Sequence, residues 1–169
     1  IQPDLMIRTD NEDSYTGDNI YDNGINQTLT YSLTTGMQAI YDVILQNDNQ
    51  NIPFSIILTG EPDTNGWKVQ YYNKMTGDDI TSEIISGKKY NLANGASALL
   101  QVVITPPSDP NEGEIYNCAL SALSSENTGA SDTVIMKNIF SYTIPEPPYP
   151  NTYATNADFT QGEMNGVNA

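Results

Sequence analysis

Residues 37–47 read MQAIYDVILQN, and how this run is read decides the fold. Met37, Ile40, Tyr41 and Ile44 fit the period of an amphipathic helix. Met37, Ala39, Tyr41, Val43 and Leu45 fit a period of two equally well, with Ile40 and Ile44 on the other face as in a central strand. The neighbouring runs settle the choice. Residues 26–34 (NQTLTYSLT) alternate Leu29, Tyr31 and Leu33 with Thr28, Thr30 and Ser32, the signature of a half-buried antiparallel strand. Residues 96–107 (ASALLQVVITPP) are a β-branched run stopped by Pro106. Residues 37–47 are therefore read as a strand.

Working outward, residues 4–9 (DLMIRT) form a first short strand, followed by an acidic loop over 10–25 that is too rich in Gly, Asp and Asn for either regular structure. Residues 52–59 resume the β pattern, with Pro53 at a strand start or sheet edge. Asn65-Gly66 signals a turn, after which Trp67, Val69 and Tyr71 share a face. The runs 80–85, 88–92, 115–123 and 133–143 complete the set. Strands at such regular spacing, separated by turn clusters, predict an all-β antiparallel sandwich with helix limited to about one turn. Its core is expected to hold Tyr41, Val43, Leu45, Trp67, Leu100, Val102 and Ile104.

The chain has 169 residues, enough for one domain with an appended arm, and its core needs no disulfide or metal. The domain is placed at 1–143 and the arm at 144–169. The arm opens with the proline-rich IPEPPYPN, which favours a stiff extended spacer, and continues as a polar segment without a period. With 6 Lys+Arg against 21 Asp+Glu the formal charge is −15, which argues against nucleic acid and anionic membrane surfaces. There is no histidine, so Ser-His-Asp, Cys-His and His-ligated metal mechanisms are excluded within the chain. Cys118 is the single cysteine and rules out an internal disulfide. No apolar run is long enough for a transmembrane helix. The first residue, Ile1, implies a removed leader or a piece of a longer protein, and the Asn, Asp, Thr, Ser and Gly content suits a secreted or cell-surface location.

One order of signals runs through 37–106. Tyr41-Asp42-Val43 leads to the turn Gln46-Asn47-Asp48-Asn49, then to Asn65-Gly66-Trp67-Lys68-Val69 with Tyr71-Tyr72, and to Leu92-Ala93-Asn94-Gly95-Ala96-Ser97 before LLQVVITPP. This resembles the immunoglobulin-like repeat modules of large bacterial cell-surface and secreted proteins. The lead-in with Tyr15, Gly17 and Asn19-Ile20-Tyr21, and the exit ADFTQG at 157–162, are similar to the links of such modules. The resemblance implies an immunoglobulin-like sandwich that acts as a spacer, adhesive unit or assembly unit, and it carries over no catalytic residue. A second copy is not present in the chain.

Asp10, Glu12, Asp13, Asp18 and Asp22 offer hard oxygen ligands suited to Ca²⁺, although EF-hand spacing is missing and a solvated anionic loop explains them as well. Asn26-Gln27-Thr28 is an N-glycosylation sequon. Trp67, Tyr71, Tyr41 and Tyr31 sit in core-facing phase rather than as a sugar-stacking platform. Lys68, Lys74 and Lys137 are read as surface lysines rather than partners in an inter-strand crosslink, and Cys118 as a small core residue. No two acids are expected in apolar strand ends, which argues against a carboxylate hydrolase and for a non-enzyme. The leading expectation is a self-assembling extracellular module whose arm, through Tyr149, Tyr153, Phe159 and Met164, contacts neighbouring copies or adjacent modules. The alternative is an adhesive module binding surface glycans or depending on calcium.

Overall fold

A computed structural model of the chain describes residues 2–48, 51–127 and 129–142. Nine strands and one short helix are found among them. They are β1 Pro3–Thr9, β2 Thr28–Leu33, β3 Ala39–Asn47, β4 Phe54–Gly60, β5 Lys68–Asn73, α1 Thr81–Ser86, β6 Lys88–Leu92, β7 Ser97–Thr105, β8 Ile115–Ser124 and β9 Ser131–Phe140. A four-stranded sheet has the order β1-β3-β7-β5, and a five-stranded sheet the order β2-β9-β8-β4-β6. The first matches the A-B-E-D sheet of an immunoglobulin domain, and β4, β8 and β9 match C, F and G. The fold is an immunoglobulin-like sandwich.

Residues 39–47 are indeed a strand, paired with β1 on one side and β7 on the other. Its alternation buries Tyr41, Val43 and Leu45 against Trp67, Leu100, Val102 and Ile104, all of them within one core cluster. Tyr31 is only partly buried and meets Tyr41 edge-on at 5.9 Å between ring centroids.

Two details depart from the sequence reading. β2 pairs with β9 in parallel, whereas the other ladders are antiparallel. The cause is the loop after β1, which runs back alongside that strand: Thr16 exchanges backbone hydrogen bonds with Ile7, and Gly17 lies against Leu5. The chain thus returns to the end where β1 began, and β2 starts beside the start of β9. The second departure is residues 80–85, read as a strand and found as helix α1. Asp79 accepts the Thr81 N–H at 2.9 Å, Ile80 and Ile84 bury one face, and Gly87 at φ 91° takes the left-handed C-terminal position that glycine adopts without strain. The expected arm at 144–169, with Tyr149, Tyr153, Phe159 and Met164, lies outside the described residues.

Candidate functional site

The acidic loop does not gather its carboxylates. Asp10 accepts from the Tyr31 hydroxyl at 3.2 Å, and Glu12 accepts from the Thr9 N–H at 2.9 Å. Asp18 accepts from the Asn19 amide at 3.0 Å, and Asp22 accepts from the Gly24 N–H and the Asn26 amide at 2.7 and 2.8 Å. Asp13 is exposed. Among the described residues no three His, Cys, Asp or Glu side chains are grouped so as to hold a metal ion. Asn26 is exposed at the end of this loop, two residues before β2.

Two acids that the sequence reading passed over are the best-buried carboxylates among the described residues. Asp4 in β1 and Asp132 at the start of β9 are both 0% exposed, which corrects the expectation that no acids sit in apolar strand ends. Asp132 accepts the Leu5 N–H at 2.7 Å and the Gln27 amide at 2.6 Å, so it bridges the two sheets and the returning loop. Burial raises its pKa, against the pull of those donors. Asp4 has one oxygen facing the Asn19 N–H at 3.4 Å, while its Oδ1 has no hydrogen-bond partner. Burial pushes the Asp4 carboxyl up to about 7, and the charges of Asp48, Asp132 and Asp18 add to the shift. Both acids are closed off from solvent by the residues packed around them.

On the outer face of the four-stranded sheet, Asp42 takes both an Arg8 hydrogen bond at 2.9 Å and an ion pair with Lys74. Burial raises the Asp42 pKa, but the Lys74 and Arg8 contacts outweigh it and hold the carboxyl below the usual range. An ionised carboxylate clamped by two cations is a salt bridge and not an amide-forming pair, in keeping with the reading of Lys74 as a surface lysine. Cys118 is buried, its thiol pushed up to about 11 by burial, so it is a core residue and a poor nucleophile.

Charge is sorted by position. The three carboxylates that lie in described strands, Asp4, Asp42 and Asp132, are buried, and every exposed one among the described residues sits in a loop or in α1. The strands of the five-stranded sheet therefore place no carboxylate on its outer face, although Glu126 of the loop after β8 accepts the Ser55 N–H at 3.3 Å. That face presents Ile57, Ile115, Ala119, Leu123, Ile135 and Ile139 with Lys89 and Lys137.

The sheet edges differ too. The free side of β5 is occupied: Val69 N–H donates to Asp63 at 2.8 Å, Tyr71 N–H to Thr81 at 2.9 Å, and Ile80 N–H to the Tyr71 carbonyl at 2.9 Å. β1 is sealed by Thr16 and by the Asp132 carboxylate, whereas β2, an edge of the five-stranded sheet, pairs with β9 alone among the described residues. Among the described residues β6 pairs with β4 alone and leaves its other edge open. Elsewhere, an open groove of about 440 Å³ is lined by Met37, Pro106, Pro107, Pro110, Phe140 and Tyr142 among others.

No family model and no curated protein matches the chain. Among solved structures it is similar to the N-terminal domain of PorA, with 15% identity and a TM-score of 0.47, covering 80% of this chain and 96% of that one. A family 123 glycoside hydrolase from Clostridium perfringens is similar at 14% identity and a TM-score of 0.45, over 69% of this chain but only 23% of the enzyme. The CupB6 tip adhesin from Pseudomonas aeruginosa is similar at 12% identity and a TM-score of 0.43, over 73% of this chain and 43% of the adhesin. What they share is the fold alone. Among the described residues no helix is long and apolar enough to cross a membrane.

Proposed function

We propose that this chain is a non-enzymatic building module of a secreted or cell-surface protein that joins copies of itself into an extracellular polymer or filament through residues 144–169. The observation that carries this reading is the pattern of edges. One sheet is sealed by its own loops on both sides, while the other keeps an open strand, β6, able to accept an extended segment. The non-enzymatic part rests on the character of the reactive groups: a buried, high-pKa thiol and two buried acids out of reach of solvent. A chain shortened to end before residue 145 is expected to stay folded and monomeric while the full chain sediments as larger species. A full chain that is monomeric at high concentration sinks the assembly reading and leaves a spacer.

The alternative reading, an adhesive module binding a glycan, has the open groove beside Tyr142 in its favour, since prolines and a half-exposed ring form an apolar wall there. A glycan-binding screen repeated with Tyr142→Ala tests it. An unglycosylated wild-type chain that retains no glycan sets it aside.

A further inference from the structure

We infer that the open edge of β6, with Lys89 on its outer side, is the docking strip for residues 151–162 of a neighbouring copy. The inference rests on the assembly reading above and names the surface that reading leaves open.

β6 exposes a row of backbone groups, and an added strand satisfies such groups one by one. What the edge accepts is set by charge. Lys88 is engaged by Glu83, but Lys89 points outward from the exposed side of the strand, on the face that also carries Lys137. Two β6 edges facing each other bring lysine against lysine, so the edge rejects its own kind. A strand with an acid in the right phase is accepted instead.

Residues 143–169 have that character. They contain Glu146, Asp158 and Glu163 and no lysine or arginine. The prolines stop at Pro150, so 151–162 (NTYATNADFTQG) is free to donate to a ladder. Its phase also fits. In an extended strand Tyr153, Thr155, Ala157 and Phe159 share one face, and Asp158 falls on the other. Added to β6, this strand places Tyr153 and Phe159 on the side of Tyr90 and Leu92, where they cover the edge of the core, and Asp158 on the side of Lys89. With the phase shifted by one residue both matches are lost.

The test is a charge swap in the full-length chain, read by sedimentation velocity at low ionic strength. Lys89→Asp alone and Asp158→Lys alone are each expected to weaken assembly about tenfold, since each sets like charges side by side. The double variant, whose net charge equals that of wild type, is expected to recover most of the wild-type assembly. A general net-charge effect would also restore it but would not let both single variants, which shift the charge in opposite directions, weaken assembly. If wild type assembles and the single variants match it, or the double variant does not recover, the β6 strip is wrong while assembly itself stands. If wild type never assembles, the broader reading fails and takes this one with it. Lys89→Cys and Asp158→Cys in one chain separate the remaining case: a disulfide formed only within single chains places the segment on its own edge and overturns docking between copies.

Discussion

The Trp67 indole N–H donates to the Glu114 carboxylate at 2.7 Å, and the same ring stacks on Tyr116 with centroids 5.1 Å apart. Trp67 immediately precedes β5 of the four-stranded sheet, whereas Glu114 immediately precedes β8 of the five-stranded one and Tyr116 is the second residue of that strand. The pair closes one end of the sandwich. Trp67→Phe removes a hydrogen bond to a charged acceptor and part of a stacked contact, so urea denaturation should show a loss of about 2 kcal/mol or more. Glu114→Gln keeps an acceptor for the indole and is expected to cost less. Equal midpoints for Trp67→Phe and wild type would refute the clamp.

Asp4 gives the chain an unusual response to pH. Its carboxyl is raised from 3.8 to about 7, so between those values the folded state binds more protons than the unfolded one. Its contribution is therefore fully present below the unfolded pKa and lost as pH rises through about 7. Asp4→Asn, which mimics the protonated form, should flatten the fall of the thermal midpoint over this window and exceed wild type at its upper end. A wild-type midpoint that climbs across the window contradicts this.

Asp42 acts in the opposite sense. Its depressed pKa means its contribution is present above the usual aspartate range and lost as pH falls through the lower, folded value. Asp42→Asn leaves Arg8 and Lys74 facing each other without a counter-ion and is expected to cost about 1–3 kcal/mol at neutral pH. The gap to wild type should close in strong acid, as denaturant titrations at the two pH values will show.

Gly60 is held by lack of space. A Cβ there would lie 2.4 Å from the Tyr71 hydroxyl oxygen, and that ring is fully buried with its hydroxyl donating to the Glu61 carbonyl at 2.9 Å. Gly60→Ala should lower stability by about 1–3 kcal/mol through overpacking. A variant with wild-type stability shows that Tyr71 moves aside freely.

The loop carboxylates make a further prediction. Asp10, Glu12, Asp18 and Asp22 are each spent on hydrogen bonds near their own position in the fold, so thermal midpoints in calcium and in EDTA should coincide. A clear rise with calcium identifies a site the loop forms only around the ion.

The strands were legible because their alternation is regular: Tyr41, Val43 and Leu45 announce a buried face whatever lies opposite. Helix α1 was legible only in hindsight, since Ile80 and Ile84 four apart, Asp79 before them and Gly87 after them are a short signal amid β-type runs. Asp4 and Asp132 were hidden for a different reason. A single acid in a short strand looks like an outward residue, and its burial depends on a loop that returns from more than ten positions away. The open edge of β6 is likewise a property of topology, visible only once the strand order of the sheet is known.

The parallel pairing of β2 with β9 has a consequence for force. Within the described fold the chain enters β1 at the end where Asp132 meets Leu5 and leaves β9 at the opposite end, where Phe140 pairs with Leu33. Tension applied through these two strands runs along them, so the ladders β1–β3 and β2–β9 are loaded in shear, with their cross-strand hydrogen bonds bearing the pull together rather than peeling apart in turn. Such wiring acts on the rate of unfolding, the quantity that governs survival under load.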